Sequence, residues 1–348
     1  MKRLRLARLQ EIMESFKDLS VMIVGDFALD VYWYADMTRS ELSRETPHFM
    51  RPIIKETYSP GASGNICCNV TALGVKEVYA VAVVGDDWRG QILSNELRKS
   101  GVRLDRLIDS RERVTSTYIK PILCGWDSQQ EDARIDFVNN DPMSKTTEQQ
   151  LIENIKSVAS NMDTIIIEDQ MVSNGVITKK VREAIIGLAK KYPDKVFVSD
   201  SRERIGLFSH MVLKPNRIEA VRAVCPSRDP KEVNLEELKE IGIKLQKRSR
   251  RPVYVTLSER GALVVTDTIQ CQIPATPTTP PIDTVGAGDT FMAVLGTSLS
   301  AGADPIEAGI MANLAAGVVV KKLNITGTAT PNEMLRKYEE VSGQEGWP

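Results

Sequence analysis

The chain has 348 residues, 42% of them hydrophobic and 26% charged, with a formal net charge of −1. That length favours one large domain with an appendage over two equal ones. Near-neutrality provides no whole-protein field to attract nucleic acid or an anionic membrane, and no stretch is apolar for long enough to span a bilayer.

The first residues carry Lys2, Arg3, Arg5 and Arg8, but Leu4, Leu6, Leu9, Ile12, Met13 and Phe16 recur at helical spacing. This predicts a docked amphipathic helix rather than a basic tail. No signal-peptide core is present, which points to the cytoplasm. Beyond it, short apolar runs alternate with amphipathic stretches. Strands are predicted over 21–25, 78–84, 164–168, 195–200, 211–214, 253–257 and 262–266. Helices are predicted over 64–73, 91–100, 147–160, 178–191, 234–246 and 287–300. Many of the strands are apolar at consecutive positions, as parallel strands covered on both faces must be. The alternation predicts an α/β fold with a mostly parallel central sheet flanked by helices, and ligands at the carboxyl ends of its strands. Two segments, 31–58 and 114–137, break the rhythm by alternating polar residues with Tyr, Trp, Ile and Val. They predict a small β-sheet lid beside one domain spanning 1–348.

Cys67, Cys68, Cys124, Cys225 and Cys271 form an odd set without CxxC spacing, as expected of reduced structural thiols. The only histidines are His48 and His210, too few for a His-based metal site or a Ser/His/Asp triad. Chemistry here must run on carboxylates, amides and basic side chains.

The strongest chemical signal is Asp283-Thr284-Val285-Gly286-Ala287-Gly288-Asp289-Thr290-Phe291, followed by a helical run. Gly286, Ala287 and Gly288 let N–H groups converge at a helix start, which binds anionic oxygen. An aspartate inside such a ring repels an anion, so Asp289 is out of place in a loop that merely holds phosphate. It fits a base that takes a proton from an attacking hydroxyl while the amides stabilise a phosphoryl group.

This string resembles the C-terminal signature of the ribokinase/PfkB carbohydrate kinases, and nearly the whole chain follows that family's order. The resemblance implies a ribokinase-like fold and phosphoryl transfer from ATP with Mg²⁺. Asp30 matches the sugar-binding aspartate after the first strand. Gly61-Ala62-Ser63-Gly64-Asn65 resembles the glycine-rich N-terminal signature, in which Gly61 belongs to the lid hinge and Asn65 contacts sugar hydroxyls. Ala62 replaces a usual glycine, implying a stiffer hinge or other backbone angles. Asn216 and Glu219 match an NxxE motif that orders phosphate-bound water and helps hold Mg²⁺ indirectly. Thr256, Ser258 and Gly261 match the nucleotide loop, with serine at the first glycine. Asn313 matches an adenine-pocket position, and Asp283 a monovalent-cation loop that implies K⁺.

Within the family, the stretches around Gly25–Tyr34, Gln130–Phe137 and Thr256–Gly261 resemble the heptose-7-phosphate kinase domain of bacterial ADP-heptose synthesis. That implies D-glycero-D-manno-heptose 7-phosphate as acceptor. Arg134, with Arg39, Arg44 and Lys120, is a candidate clamp for a substrate phosphate. Departures are Ala62, the segment 40–47, Asp200-Ser201-Arg202 in place of Asp-Pro-Lys, and Tyr118 in place of lysine. Kinases for a free sugar or a nucleoside, and a non-catalytic sensor on the same fold, stay open. A homodimer paired through the lid is a further expectation. An oxidoreductase is disfavoured, because no GxGxxG follows the first strand.

Overall fold

Runs such as Val21-Met22-Ile23-Val24 can be satisfied only between two helical layers, because successive side chains leave a strand on opposite faces. In the computed structural model, which describes residues 4–323, 325–344 and 346–347, that is where they lie. Ile23 enters one apolar core, and Met22 and Val24 enter another on the opposite side of the sheet.

Between these cores runs an eight-stranded sheet. Its order is Gln270–Ile273, Ala262–Val265, Val253–Thr256, Val212–Leu213, Val196–Ser201, Thr164–Asp169, Ser20–Gly25 and Glu77–Val81. Strands from Val253–Thr256 to Glu77–Val81 are parallel, and the first two are antiparallel. The fold is thus α/β and ribokinase-like, with a mostly parallel sheet flanked by helices.

One predicted strand divides. The apolar run 78–84 is two strands: Glu77–Val81 stays in the large sheet, while Val83–Gly85 pairs in parallel with Ile108–Ser110. Both halves are buried, so hydropathy carries no mark of the break. Sequence patterning also leaves out the strand Gln270–Ile273 and the helices Arg217–Val224 and Pro331–Val341. The strand is short and largely polar, and both helices start at capping boxes.

The amphipathic start forms helix Leu6–Glu14, burying Leu9, Ile12 and Met13. Lys2 and Arg3 of the basic start lie outside the described residues. Tyr338 donates its hydroxyl proton to the Leu4 carbonyl at 2.7 Å, and Arg8 reaches Glu307 and the Gly302 carbonyl. The beginning and end of the chain therefore close on each other.

The two segments that break the alternation build a separate five-stranded sheet. Phe27–Asp36 pairs antiparallel with Ile53–Ala62 and parallel with Ser116–Cys124. The last of these pairs antiparallel with Gln129–Glu131 and Ile135–Phe137. This sheet extends from residue 27 to 62, beyond the predicted 31–58. Its strand Phe27–Asp36 follows directly on the first strand of the large sheet, and Ile53–Ala62 leads directly into helix Ser63–Ala72.

At that second crossing Ala62 has φ 49° and ψ −127°, a conformation in which the Cβ is crowded and glycine is at ease. Alanine at this crossing holds a backbone that glycine adopts freely, at a cost of about 1–3 kcal/mol. Glycine loses about 0.5–1 kcal/mol more chain entropy. Ala62→Gly is therefore predicted to stabilise the protein by about 1 kcal/mol, read as a higher urea midpoint. A lower midpoint would show that the position is not strained.

Candidate active site

Helix Ala287–Ser300 starts from Gly286, whose φ of 78° is left-handed. A Cβ there would lie 2.8 Å from Asn65 Nδ2, so glycine is required both for the turn and for closure onto Asn65. The Ala287 N–H closes a turn onto the Thr284 carbonyl at 3.2 Å. Gly286 and Gly288 stand at a helix start, where the first N–H groups lack partners along the helix.

Asp289 lies in the first turn. Asn65 Nδ2 donates to its Oδ2 at 2.8 Å, and Asn69 donates to Asn65 Oδ1 at 3.1 Å. Thr290 in turn donates to Asn69 Oδ1 at 2.9 Å, so the Asp289 carboxylate is fixed by a chain of amides and one hydroxyl. Asn65 thus orients Asp289, and among the described residues its second N–H has no acceptor. Burial raises Asp289 to about 7, with Asn65 and Lys214 opposing and Asp200 and Asp30 reinforcing.

Three further charged groups come from the ends of neighbouring parallel strands. Glu168 and Asp200 close Thr164–Asp169 and Val196–Ser201, and Lys214 follows Val212–Leu213. All three are buried. Lys214 Nζ pairs with Asp200 Oδ2 at 2.5 Å, and its pKa is raised because the neighbouring carboxylates outweigh burial. Burial, then Asp200 and Asp289, push Glu168 well up. Asp200 Oδ1 and Glu168 Oε2 are buried without a hydrogen-bond partner among the described residues. The sequence reading did not place this cluster in the site. Its signal was there, as charged residues ending otherwise apolar strands.

On the small-sheet side stands Asp30, 8% exposed and raised by burial, with Lys120 opposing most strongly. A Cβ on Gly61 would lie 2.7 Å from Asp30 Oδ2, so this glycine makes room for the carboxylate. Thr326 Oγ1 donates to the same oxygen at 3.4 Å. Lys120 sits against Tyr32, 4.9 Å above its ring and 3.2 Å from its hydroxyl. Arg134 is exposed, forks onto Asp136 with two bonds of 2.7 Å, and stacks 4.8 Å over the Tyr118 ring. Arg39 and Arg44 are exposed, and Arg39 pairs with Asp36.

The residues expected to hold the nucleotide form a second group. Asn216 and Glu219 cap helix Arg217–Val224 reciprocally, at 3.0 and 2.7 Å. Burial, then Asp200, raise Glu219 to about 7 while Lys214 opposes. Thr256 donates its N–H to the Pro215 carbonyl at 2.9 Å, beside Asn216. Ser258 holds a left-handed φ of 54°, as its place in a glycine loop requires. Gly261, at φ 83°, has no space for a Cβ, which would meet the Ile273 carbonyl. Asn216, Thr256, Ser258 and Arg260 share the lining of a cavity of about 380 Å³.

Two expected residues lie apart from these contacts. Asn313 is buried, and its amide donates to the Pro274 carbonyl at 3.0 Å. Asp283 accepts from the Val285 N–H at 3.0 Å, and its own N–H donates to the Val320 carbonyl at 2.8 Å. All five cysteines are free thiols. Among the described residues no group of three or more His, Cys, Asp or Glu is arranged to hold a metal, and no helix is long and apolar enough to cross a membrane.

The family described as pfkB family carbohydrate kinase matches residues 20–332. Bifunctional protein HldE of Sulfurimonas denitrificans is 31% identical over 94% of this chain, which spans 66% of that relative, just under two thirds. Phosphofructokinase-2 from Escherichia coli superposes with a TM-score of 0.71 at 17% identity, covering 93% of this chain and all of the other (100%). Arabidopsis thaliana ribokinase does so with a TM-score of 0.68 at 19% identity, covering 92% and 98%. With the match running from the first strand of the large sheet to the last helix, the chain belongs to the pfkB family of carbohydrate kinases.

Proposed function

We propose that this enzyme transfers the γ-phosphate of ATP to a hydroxyl of a sugar that already carries a phosphate, D-glycero-D-manno-heptose 7-phosphate. The observation that carries the reading is Asp289 itself. It is a half-buried carboxylate at the start of a glycine-opened helix, tied through Asn65 to the segment that meets the small sheet.

In this mechanism Asp30 and the free N–H of Asn65 hold the acceptor, with Gly61 shaping the pocket and Arg134 reaching its phosphate. Asp289 takes the proton of the attacking hydroxyl as the new O–P bond forms and the bond to the β-phosphate oxygen breaks. The Gly286, Ala287 and Gly288 segment stabilises charge on the transferring group. Asn216, Thr256, Ser258, Gly261 and Asn313 belong to the nucleotide side. Mg²⁺ would take few protein ligands here and keep much of its hydration, with Glu219 acting through water beside the oxygens of Asp200 and Glu168 that have no hydrogen-bond partner among the described residues. When bound, it neutralises the polyphosphate. Asp283 would belong to a K⁺ site, and a rate unchanged on replacing Na⁺ by K⁺ would count against it.

The small sheet acts as a lid. Its strands and loops expose the apolar residues Phe49, Met50, Ile54 and Trp126, and exposed apolar side chains of this kind support pairing of two lids in a cytoplasmic homodimer.

Release of ADP from ATP·Mg²⁺ with free sugars, sugar phosphates and nucleosides identifies the acceptor, and no turnover with any of them would favour a sensor. Asp289→Asn is expected to lower kcat by about 10²–10⁴ while ATP still binds. An unchanged kcat would remove the base. The base must be ionised and its pKa is raised to about 7, so activity is lost as pH falls below that value. kcat/KM is therefore expected to rise up to about pH 7 and level off above it, as a property of the coupled cluster. A flat profile between about pH 5.5 and 8 would contradict the assignment.

A further inference from the structure

Strand Val196–Ser201 runs alongside Thr164–Asp169, with Ser201 opposite Asp169. The next residue, Arg202, is anchored by its N–H on the Asp169 carbonyl at 3.2 Å. Its side chain is exposed and has no hydrogen-bond or ion-pair acceptor among the described residues. Nearby cations are already engaged. Arg204 forks onto Asp169, Arg113 donates to the Asp141 and Asn174 carbonyls, and Lys120 is held by Tyr32.

Across from this strand end lies Tyr118 of the small sheet, in register with Asp30. Its hydroxyl donates to Met171 Sδ at 3.4 Å, just beyond Thr164–Asp169, so the ring bridges the two sheets. Arg134 covers that ring at 4.8 Å, and Arg202 is close enough to act electrostatically on the same phenol. Arg134 also acts on Asp30, which places it on the acceptor side of the site, and Arg202 approaches the same ring from the end of the large sheet. Arg202 additionally faces Glu219, so the nucleotide is its competing ligand.

We infer that Arg202 and Arg134 are the two arms of a clamp for the phosphate carried by the acceptor, one from each sheet, with the Tyr118 ring as the spacer between them. The inference rests on the reading that the acceptor is a sugar phosphate. Two guanidinium groups approaching from the two sheets suit a dianionic phosphate: Arg202 can present a full fork of N–H donors, while Arg134, whose Nε and Nη2 are engaged by Asp136, offers its Nη1 donors. Engaging both would also couple acceptor binding to the approach of the small sheet. Arg202 is thus a specificity-determining residue.

The test compares D-glycero-D-manno-heptose 7-phosphate with the unphosphorylated heptose. Arg202 is exposed and unpaired, so Arg202→Gln should fold as the parent does. It is expected to raise KM for the phosphorylated acceptor by about 10- to 100-fold, the loss of a charge-assisted bond. KM for ATP and kcat/KM for the free heptose should stay within about twofold. Arg202→Lys should recover part of the loss, because charge returns without the fork. An unchanged KM for the phosphorylated acceptor would overturn the clamp, as would a rise confined to the KM for ATP. If the parent enzyme turns over no sugar phosphate, the proposed acceptor fails instead. Calorimetric binding of inorganic phosphate, with the nucleotide site filled by a non-hydrolysable ATP analogue and Mg²⁺, then decides the clamp. Weaker binding by Arg202→Gln and by Arg134→Gln supports it, and binding equal to the parent's overturns it.

Discussion

A single buried ammonium holds the centre of this molecule together. Lys214 faces Asp200, Glu168 and Glu219, and it opposes the upward shift of Asp289. Unpaired, any of these carboxylates would be expensive to keep buried in charged form. Grouped around one cation they can share charge and protons, which leaves Asp289 poised near neutrality rather than locked as acid or base. The arrangement depends on the fold. Parallel strands covered on both faces deliver their carboxyl ends to one rim, and three of them carry Glu168, Asp200 and Lys214 beside or just past their last residues.

The second constraint is the junction between the sheets. Asp26 is buried and raised to about 6 by burial, yet accepts from the Met171 and Val176 N–H groups, fixing the 171–176 loop where the small sheet begins. Gly61, Ala62 and Asn65 form the other crossing within a few residues of one another. One leaves room for Asp30, one holds a strained backbone, and one reaches Asp289. Movement of the small sheet would therefore act directly on both Asp30 and Asp289.

Much of this was legible in the sequence because its periods are clean. Consecutive apolar positions marked the strands Ser20–Gly25 and Thr164–Asp169, and alternation marked the small sheet. Two glycines flanking an alanine, with an aspartate after them, marked the helix start. What hydropathy could not give was any break inside a buried run, hence the undivided 78–84, or a short polar strand such as Gln270–Ile273. The cluster around Lys214 escaped because charge at a strand end carries no partner information until strand order is known. Ala62 and Ser258 teach a related lesson. Both replace glycines of the family pattern, yet both keep positive φ, so surrounding contacts set the backbone there and the side chain carries the strain.

The central claim is that burial beside this cluster moves the protonation of Asp289 into the neutral range. Titration of the Asp289 carboxyl carbon by NMR, assigned by its disappearance in Asp289→Asn, measures this directly. The account predicts a midpoint about 7, far above the ordinary 3.8. A midpoint near 4 would contradict it, and would leave Asp289 an ionised cap at a helix start rather than a base.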